Sequence, residues 1–236
     1  MKSIPALEYF DFSKTELGGT IPTDPMPELR VFKGWNTEKL GGTIPSEIGN
    51  WKKLGKCIFH VTYYFFGYGT ILTINSTPFH SSSETFSLDA NPLLEGSIPS
   101  EFGLLSNLET LQIRSAAITG PLPTELGGLP KLKSMVLSII QLDSTLPLEY
   151  ANLSTLEKMD FLVNYGLTGT IPTEYANISN LSYFDVAATS LSGSVPSEVC
   201  ALELEWMTAD CPGKNFNPTD MICECCTSCG GGNGKL

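Results

Sequence analysis

A Gly-x-Ile-Pro-like corner recurs along the chain, with its proline at Pro22, Pro45, Pro99, Pro123, Pro147, Pro172 and Pro196. The spacings are 23, 54, 24, 24, 25 and 24 residues. Self-similarity at a fixed period of this size points to stacked units and away from a single compact core. Between corners the apolar positions keep step. Leu105, Leu108, Leu111, Ile113, Ile118, Gly120 and Leu122 follow Pro99; Ile178, Leu181, Phe184, Val186, Leu191, Gly193 and Val195 follow Pro172 at the same offsets. Leu129, Leu132, Met135, Leu137, Leu142, Ser144 and Leu146 follow Pro123, and only the glycine is lost.

The spacing dictates what one unit can do. In Leu108-x-x-Leu111-x-Ile113 the closing alternation marks a short strand with positions 111 and 113 inward. The glycine allows a positive φ, and the proline fixes an extended turn that ends ladder pairing. The segment Pro-x-Glu-Leu-Gly-x-Leu then returns the chain as a short helical turn. One unit cannot bury its own apolar edge, so units must stack. The expected fold is an α/β solenoid with a parallel β-sheet on its concave face and short helical or 3-10 turns on its convex face.

These residues resemble the plant-type extracellular leucine-rich repeat, L-x-x-L-x-L-x-x-N-x-L-x-G-x-I-P, from about Ile4 to Asp210. The asparagine slot departs from that pattern, holding Thr15, Glu38, Asn91, Ala116, Ile140, Asn164 and Thr189. The buried ladder typical of the family is therefore expected to be incomplete, with looser repeats. A last half-repeat, Leu204-x-x-Met207-x-Ala209-Asp210-Cys211, leads into Cys223-x-Cys225-Cys226-x-x-Cys229. That combination is similar to the cysteine-rich C-terminal caps of leucine-rich-repeat proteins of diatoms and related algae. The division that follows is an array over 1–210 of about eight repeats, a cap over 211–229 and a flexible tail over 230–236.

Six of seven cysteines (Cys200, Cys211, Cys223, Cys225, Cys226, Cys229) crowd the end of the chain. An even cluster there reads as a disulfide cap, which needs an oxidising compartment. Zinc is the rival, but the long loop between two knuckles is missing. Six cysteines allow about 15 pairings, so none is assigned. Acceptor sequons at Asn152, Asn177 and Asn180 also suit a secreted or surface glycoprotein. The start Met1-Lys2-Ser3-Ile4-Pro5-Ala6 lacks a signal peptide, and Leu7-x-x-Phe10-x-Phe12 is already a full repeat. We therefore expect an N-terminally incomplete sequence, with any membrane attachment in a missing segment.

The 54-residue gap holds Gly55 to Ser83, uncharged except for Lys56 and containing Cys57, His60 and His80. Removing these 29 residues joins Leu54 to Glu84 and brings the corner spacing to 25. Gly55-Lys56-Cys57 can be encoded with a splice-donor sequence, so a retained intron translated in frame is one reading. A loop of the mature protein with an aromatic patch (Tyr63, Tyr64, Phe65, Phe66, Tyr68) is another. A membrane span over Cys57 to Ile74 is disfavoured, because it would cut the solenoid in two.

Outward positions of neighbouring strands should form columns about 4.8 Å apart per strand. The first is Tyr9, Val31, Thr85, Thr110, Ser134, Lys158, Tyr183 and Trp206; the second is Asp11, Lys33, Ser87, Gln112, Val136, Asp160, Asp185 and Thr208. The third is Ser13, Trp35, Asp89, Arg114, Ser138, Leu162, Ala187 and Asp210. Lys158, Asp160, Tyr183, Asp185, Trp206, Gln112 and Arg114 are the candidate ligand-binding residues, an aromatic-plus-charge mixture suited to a contact surface. An Asp160/Asp185 pair could in principle serve acid–base chemistry, yet an open sheet does not exclude water. Nor does the pair offer the oxygens a calcium site needs. Twenty-five acidic against 14 basic residues, a net charge of −11, argue against nucleic acid. The expected function is a non-catalytic extracellular recognition module without cofactor or metal, receptor-like or secreted, acting in adhesion or signalling. Its ligand would be a protein, peptide or glycan. An inhibitor of secreted polysaccharide hydrolases and a structural wall protein are the alternatives.

Overall fold

The computed structural model describes residues 7–11, 18–24, 26, 28–33, 41–51, 53, 56–59, 85–89, 93–212 and 221–229. The aromatic segment Tyr63 to Tyr68, His60, His80, the slot residues Thr15, Glu38 and Asn91, and the 230–236 tail lie outside them. Parallel strands of neighbouring repeats build one ten-stranded sheet among the described residues. Its strands are Tyr9–Asp11, Val31–Lys33, Lys56–Phe59, Thr85–Asp89, Thr110–Arg114, Ser134–Ser138, Lys158–Asp160, Tyr183–Asp185, Trp206–Ala209 and Ser228–Cys229.

From the Thr110–Arg114 strand to the Trp206–Ala209 strand each repeat turns two residues inward, and those residues stack into continuous ladders. Leu111, Met135, Met159, Phe184 and Met207 form one, and Ile113, Leu137, Phe161, Val186 and Ala209 form the next, all buried. Leu108, Leu132, Leu156 and Leu181 close the core behind them. After each corner proline from Pro45 to Pro172 the chain makes a five-residue 3-10 turn; after Pro196 it makes the short α-turn Ser197–Cys200. These turns plant Ile48, Phe102, Leu126, Tyr150, Tyr175 and Val199 under the sheet. Where tyrosine takes this place, its hydroxyl donates to the corner carbonyl one repeat back: Tyr150 to Pro123 O at 3.1 Å and Tyr175 to Pro147 O at 2.9 Å. Turns stack so closely that a Cβ at Gly127 would lie 2.4 Å from Glu149 O. A smaller parallel ladder runs beside the long sheet, in the order Gln141–Leu142, Ala117–Gly120, Leu93–Ser97 and Gly41–Thr43.

The columns follow the expected register from Thr110 through Ser134, Lys158 and Tyr183 to Trp206. One expected neighbour pair is separated. Lys56 pairs with Val31, and Cys57 pairs with Phe86, so Lys56–Phe59 stands between the strands holding Val31 and Thr85. The reason is in the sequence: Leu54-x-x-Cys57-x-Phe59 itself repeats the strand pattern. On the other side nothing is interposed, since Gly41 pairs directly with Leu93 and the turn at Gly49 packs on Glu101. Lys56–Phe59 thus adds a strand to the long sheet that has no counterpart between Gly41–Thr43 and Leu93–Ser97 in the smaller ladder.

The incomplete asparagine ladder is visible from position 116 onward. Asn164 Nδ2 donates to Leu137 O and Phe161 O, both at 2.8 Å, and its Oδ1 receives the Leu142 N–H at 3.4 Å. Thr189 replaces part of this, donating to Val186 O at 2.8 Å. Ala116 and Ile140 fill the slot with apolar side chains, both buried.

Candidate functional site

Lys158, Tyr183 and Trp206 come from three adjacent strands and share the first column. Lys158 Nζ lies 4.0 Å from the Tyr183 ring centroid, a cation–π contact. Tyr183 and Trp206 stack with centroids 6.0 Å apart and planes 6° apart. By column order the two neighbours take opposite faces of the tyrosine. Trp206 remains 43% exposed, the most open of the three. Burial lowers the Lys158 pKa, opposed by Asp160 and aided by Arg114. Burial raises that of Tyr183, which Asp160 and Asp185 push further.

The second column runs beside this stack on the same face of the sheet. Val136, Asp160, Asp185 and Thr208 are all buried there. Asp160 is 2% exposed: its Oδ2 receives Arg114 Nη2 at 2.9 Å, and its Oδ1 receives the Leu162 N–H at 3.1 Å. Asp185 repeats the second contact, taking the Ala187 N–H at 3.0 Å, while the Tyr183 hydroxyl donates to its other oxygen at a long 3.4 Å. Desolvation pushes the Asp185 pKa up to about 6, against the opposing Ala187 N–H and with help from the Asp160 charge. The Arg114–Asp160 bridge is diagonal, running from one strand across the Ser134–Ser138 strand, and it buries Val136 and Ser138 beneath it. Gln112 lies on the same face, half-buried, in the same column as Val136.

The structure therefore brings Lys158, Tyr183, Asp185 and Trp206 together, and Arg114 with Asp160. Polarity alone marks both aspartates as surface groups, but each is turned onto its own backbone. Two residues escaped the sequence reading. Asp210 receives the Ala188 and Thr189 N–H groups at 2.9 and 3.1 Å, in place of the backbone carbonyl that the next repeat supplies to Ser115, Ile139 and Val163. Thr208, beside Asp185 in register, is 7% exposed, and its Oγ1 has no hydrogen-bond partner among the described residues. Its place in the second column was the available signal. The described residues hold no group of His, Cys, Asp or Glu able to bind a metal ion.

The six clustered cysteines are joined in three disulfides. Cys200 pairs with Cys225, Cys211 with Cys229, and Cys223 with Cys226. The last strand, Ser228–Cys229, pairs with Trp206–Ala209 and covers the end of the sheet. Asn152, Asn177 and Asn180 are exposed, though the Asn180 amide is held by Ser154 O at 2.7 Å.

No family model and no curated protein matches the sequence. Solved structures do match. The Arabidopsis receptor kinase HAESA, solved with a peptide hormone and a co-receptor, aligns at 21% identity over 89% of this chain and 30% of its own, with a TM-score of 0.64. The fold is a leucine-rich-repeat solenoid. The ectodomain of the Arabidopsis thaliana receptor kinase GASSHO1/SCHENGEN3, solved with CASPARIAN STRIP INTEGRITY FACTOR 2, gives 24% identity, 94% and 28% coverage, and 0.63. A Leptospira interrogans leucine-rich-repeat protein gives 25% identity, 85% and 42% coverage, and 0.56. The solenoid thus spans about 30% of the length of the plant receptor chains it matches. Among the described residues, no helix is long and apolar enough to cross a membrane.

Proposed function

We propose that this solenoid is a non-catalytic recognition module of an extracellular or cell-surface protein, binding its ligand on the open face of the long sheet. The observation that carries the reading is the Lys158–Tyr183–Trp206 stack. It is a pre-ordered aromatic and cationic surface on a rigid sheet, at the end closed by the cap. Rigidity limits the entropy lost on binding, and a partly exposed Trp beside charged groups is the composition of an interaction hot spot. The similar receptor kinase ectodomains, solved with a peptide hormone in one case and with CASPARIAN STRIP INTEGRITY FACTOR 2 in the other, support a ligand-binding role. Three disulfides support an oxidising compartment. Asn152 and Asn177, exposed at equivalent positions one repeat apart, would carry glycans on the turn side, away from the binding face.

The test is binding of the oxidised full chain to displayed peptide and oligosaccharide libraries. Saturable binding should vanish in a Tyr183→Ala/Asp185→Ala/Trp206→Ala variant with an unchanged circular dichroism spectrum. Unchanged affinity in that variant removes the site from this face. The absence of any saturable ligand in either library counts against the recognition role itself.

A further inference from the structure

We infer that the Asp160–Asp185 carboxylate pair is a proton switch on the binding face, which takes up one proton on mild acidification and so favours a ligand that brings a carboxylate to Lys158 and Arg114. This rests on the recognition reading above and adds the ligand's charge and its control. The two aspartates are partners in register, on strands that run about 4.8 Å apart. They are 2% and 6% exposed, so water does little to screen one charge from the other. One guanidinium serves the pair, and it is committed to one member: Arg114 Nη2 reaches Asp160 Oδ2 at 2.9 Å. Lys158 Nζ sits over the Tyr183 ring, 4.0 Å from its centroid. Asp185 keeps the Ala187 N–H at 3.0 Å and the long contact from the Tyr183 hydroxyl at 3.4 Å. Two like charges this close, one of them buried without a guanidinium of its own, hold a shared proton at mild acidity.

The charged neighbours of Asp185 set the sign of the effect. The strand Lys158–Asp160 brings one ammonium and one carboxylate, and Arg114 reaches in through Asp160. The strand Trp206–Ala209 on the other side brings no charge, only Thr208 in register. Beyond it the Asp210 carboxylate is turned onto the Ala188 and Thr189 N–H groups. Burial first, and the Asp160 charge with it, outweigh the Ala187 N–H, the Tyr183 hydroxyl and the Lys158 ammonium, and hold the Asp185 pKa at about 6. Above that pH two carboxylates stand against Lys158 and Arg114. Below it, a proton drawn from solvent leaves one carboxylate against the same two cations. The carboxyl groups of a ligand titrate near pH ~4, so between about pH 4 and about pH 6 the ligand is still an anion while the face has lost a negative charge. Asp185 acts on that ligand through its field and not by contact, because it is buried. Contact falls to the Lys158–Tyr183–Trp206 stack beside it. Proton and ligand then strengthen each other's binding by the same factor.

A displayed random-peptide library would be selected on the oxidised full chain at about pH 5 and at about pH 7.5. A galacturonate hexamer, a carboxylate from another source, would be titrated in parallel. Peptides whose capture is lost in Trp206→Ala, at an unchanged circular dichroism spectrum, report on this face. Those recovered at the acid pH should be rich in Asp and Glu. By calorimetry they should bind about fivefold more tightly at the acid pH than at the neutral one, the low end of coupling between two sites. Near the Asp185 midpoint of about 6, binding should also take up a fraction of a proton, read from the heats in two buffers of different ionisation enthalpy. Asp185→Asn carries the charge of the protonated form. It should bind at the neutral pH as tightly as the parent does at the acid pH, with no dependence between them. Proton uptake by the parent remains the test should that variant fail to fold. The switch is overturned if captured peptides bind equally at both pH values without proton uptake, if the dependence persists in folded Asp185→Asn, or if acid-selected peptides carry no carboxylate. Each of these leaves the recognition role standing. Binding of the hexamer alone, with its pH dependence lost in Asp185→Asn, upholds the switch and makes the ligand a uronate. Capture of no peptide at either pH, with no hexamer bound, removes both.

Discussion

The middle repeats and the C-terminal repeats share one scaffold and differ in where their strands stop. Thr110–Arg114 and Ser134–Ser138 each run five residues, whereas Lys158–Asp160 and Tyr183–Asp185 run three. The inward ladder is continuous across both regions, from Leu111 to Met207. The difference lies at the second outward position, which holds Gln112 and Val136 in the middle and Asp160 and Asp185 later. Each aspartate captures the N–H two residues on, at 3.1 and 3.0 Å, and the strand ends there. The comparison separates two layers of information. Core residues set the stacking, while outward residues decide how far each ladder runs and what charge it presents.

The regions also end differently, and that gives the largest predicted effect. A middle repeat is covered by neighbours on both sides, but the C-terminal one is followed by a segment held in three disulfides. By chain entropy, the closure between Cys200 and Cys225, 25 residues apart, contributes about 3.5 kcal/mol. Cys211–Cys229, separated by 18, contributes about 3 kcal/mol, and Cys223–Cys226, separated by 3, about 2 kcal/mol. Urea unfolding of the three paired-serine variants should rank in that order. A Cys223→Ser/Cys226→Ser variant that loses most would mean that the cap's contacts, and not loop closure, set its stability.

A second change removes the comparison at its source. Asp160→Val gives the Lys158–Asp160 strand the residue found one repeat earlier, at Val136. It strands Arg114 and frees the Leu162 N–H, which should cost about 2–3 kcal/mol, since the guanidinium keeps some contact with water. Adding Arg114→Met should recover most of the loss, because an apolar pair can replace a buried ion pair. A double variant no more stable than the single one would place the cost in the lost backbone capture.

Asp185 gives a smaller, pH-dependent effect. Its folded pKa of about 6 stands above the ordinary 3.8, so between these values the folded chain binds more protons than the unfolded one. Stability from this group therefore falls as pH rises from about 4 to about 6 and is level above. The fall should be about 1–2 kcal/mol once partial solvent contact is discounted. Asp185→Asn keeps an oxygen for the Ala187 N–H and removes the charge. The difference between parent and variant, from urea midpoints at stepped pH, should show this slope; a pH-independent difference rules it out.

The repeat, its inward ladders and the column register from Thr110 to Trp206 were legible because each is a periodic property of side-chain polarity. What escaped is not periodic. Cys57 and Phe59 stand at inward spacing, but an even repeat period argues for a single strand between Pro45 and Pro99 and so hides the strand Lys56–Phe59. The burial of Asp160 and Asp185 depends on a backbone N–H two residues away, and a polar side chain at an outward position gives no sign of that bond. Disulfide pairing depends on how the cap folds over the last strand, and spacing alone leaves every pairing open. The stack of Lys158, Tyr183 and Trp206 was legible as a column, but the unpartnered Thr208 hydroxyl in the next column was not.

The smallest predicted effect concerns the residue that leaves each strand. Ser115, Ile139, Val163 and Ala188 all have φ between 52° and 56°, in the left-handed region. The cause is shared and non-local. The first three N–H groups reach the carbonyl of the next repeat: Ser115 to Ser138 O at 3.2 Å, Ile139 to Leu162 O at 2.8 Å and Val163 to Ala187 O at 3.0 Å. Ala188 instead reaches the side-chain carboxylate of Asp210 in the last half-repeat, at 2.9 Å. Stacking therefore imposes a conformation that a β-branched residue resists, at a cost on the order of 1 kcal/mol. Ile139 is 47% exposed and buries little in return. Ile139→Asn, whose short polar side chain tolerates this region, should raise stability by about 0.5–1 kcal/mol in urea unfolding. The same change at Ser115 should yield roughly nothing, because no β-branch is relieved there. Equal gains at both positions would mean that asparagine helps by hydrogen bonding, and that the left-handed turn carries no strain at Ile139.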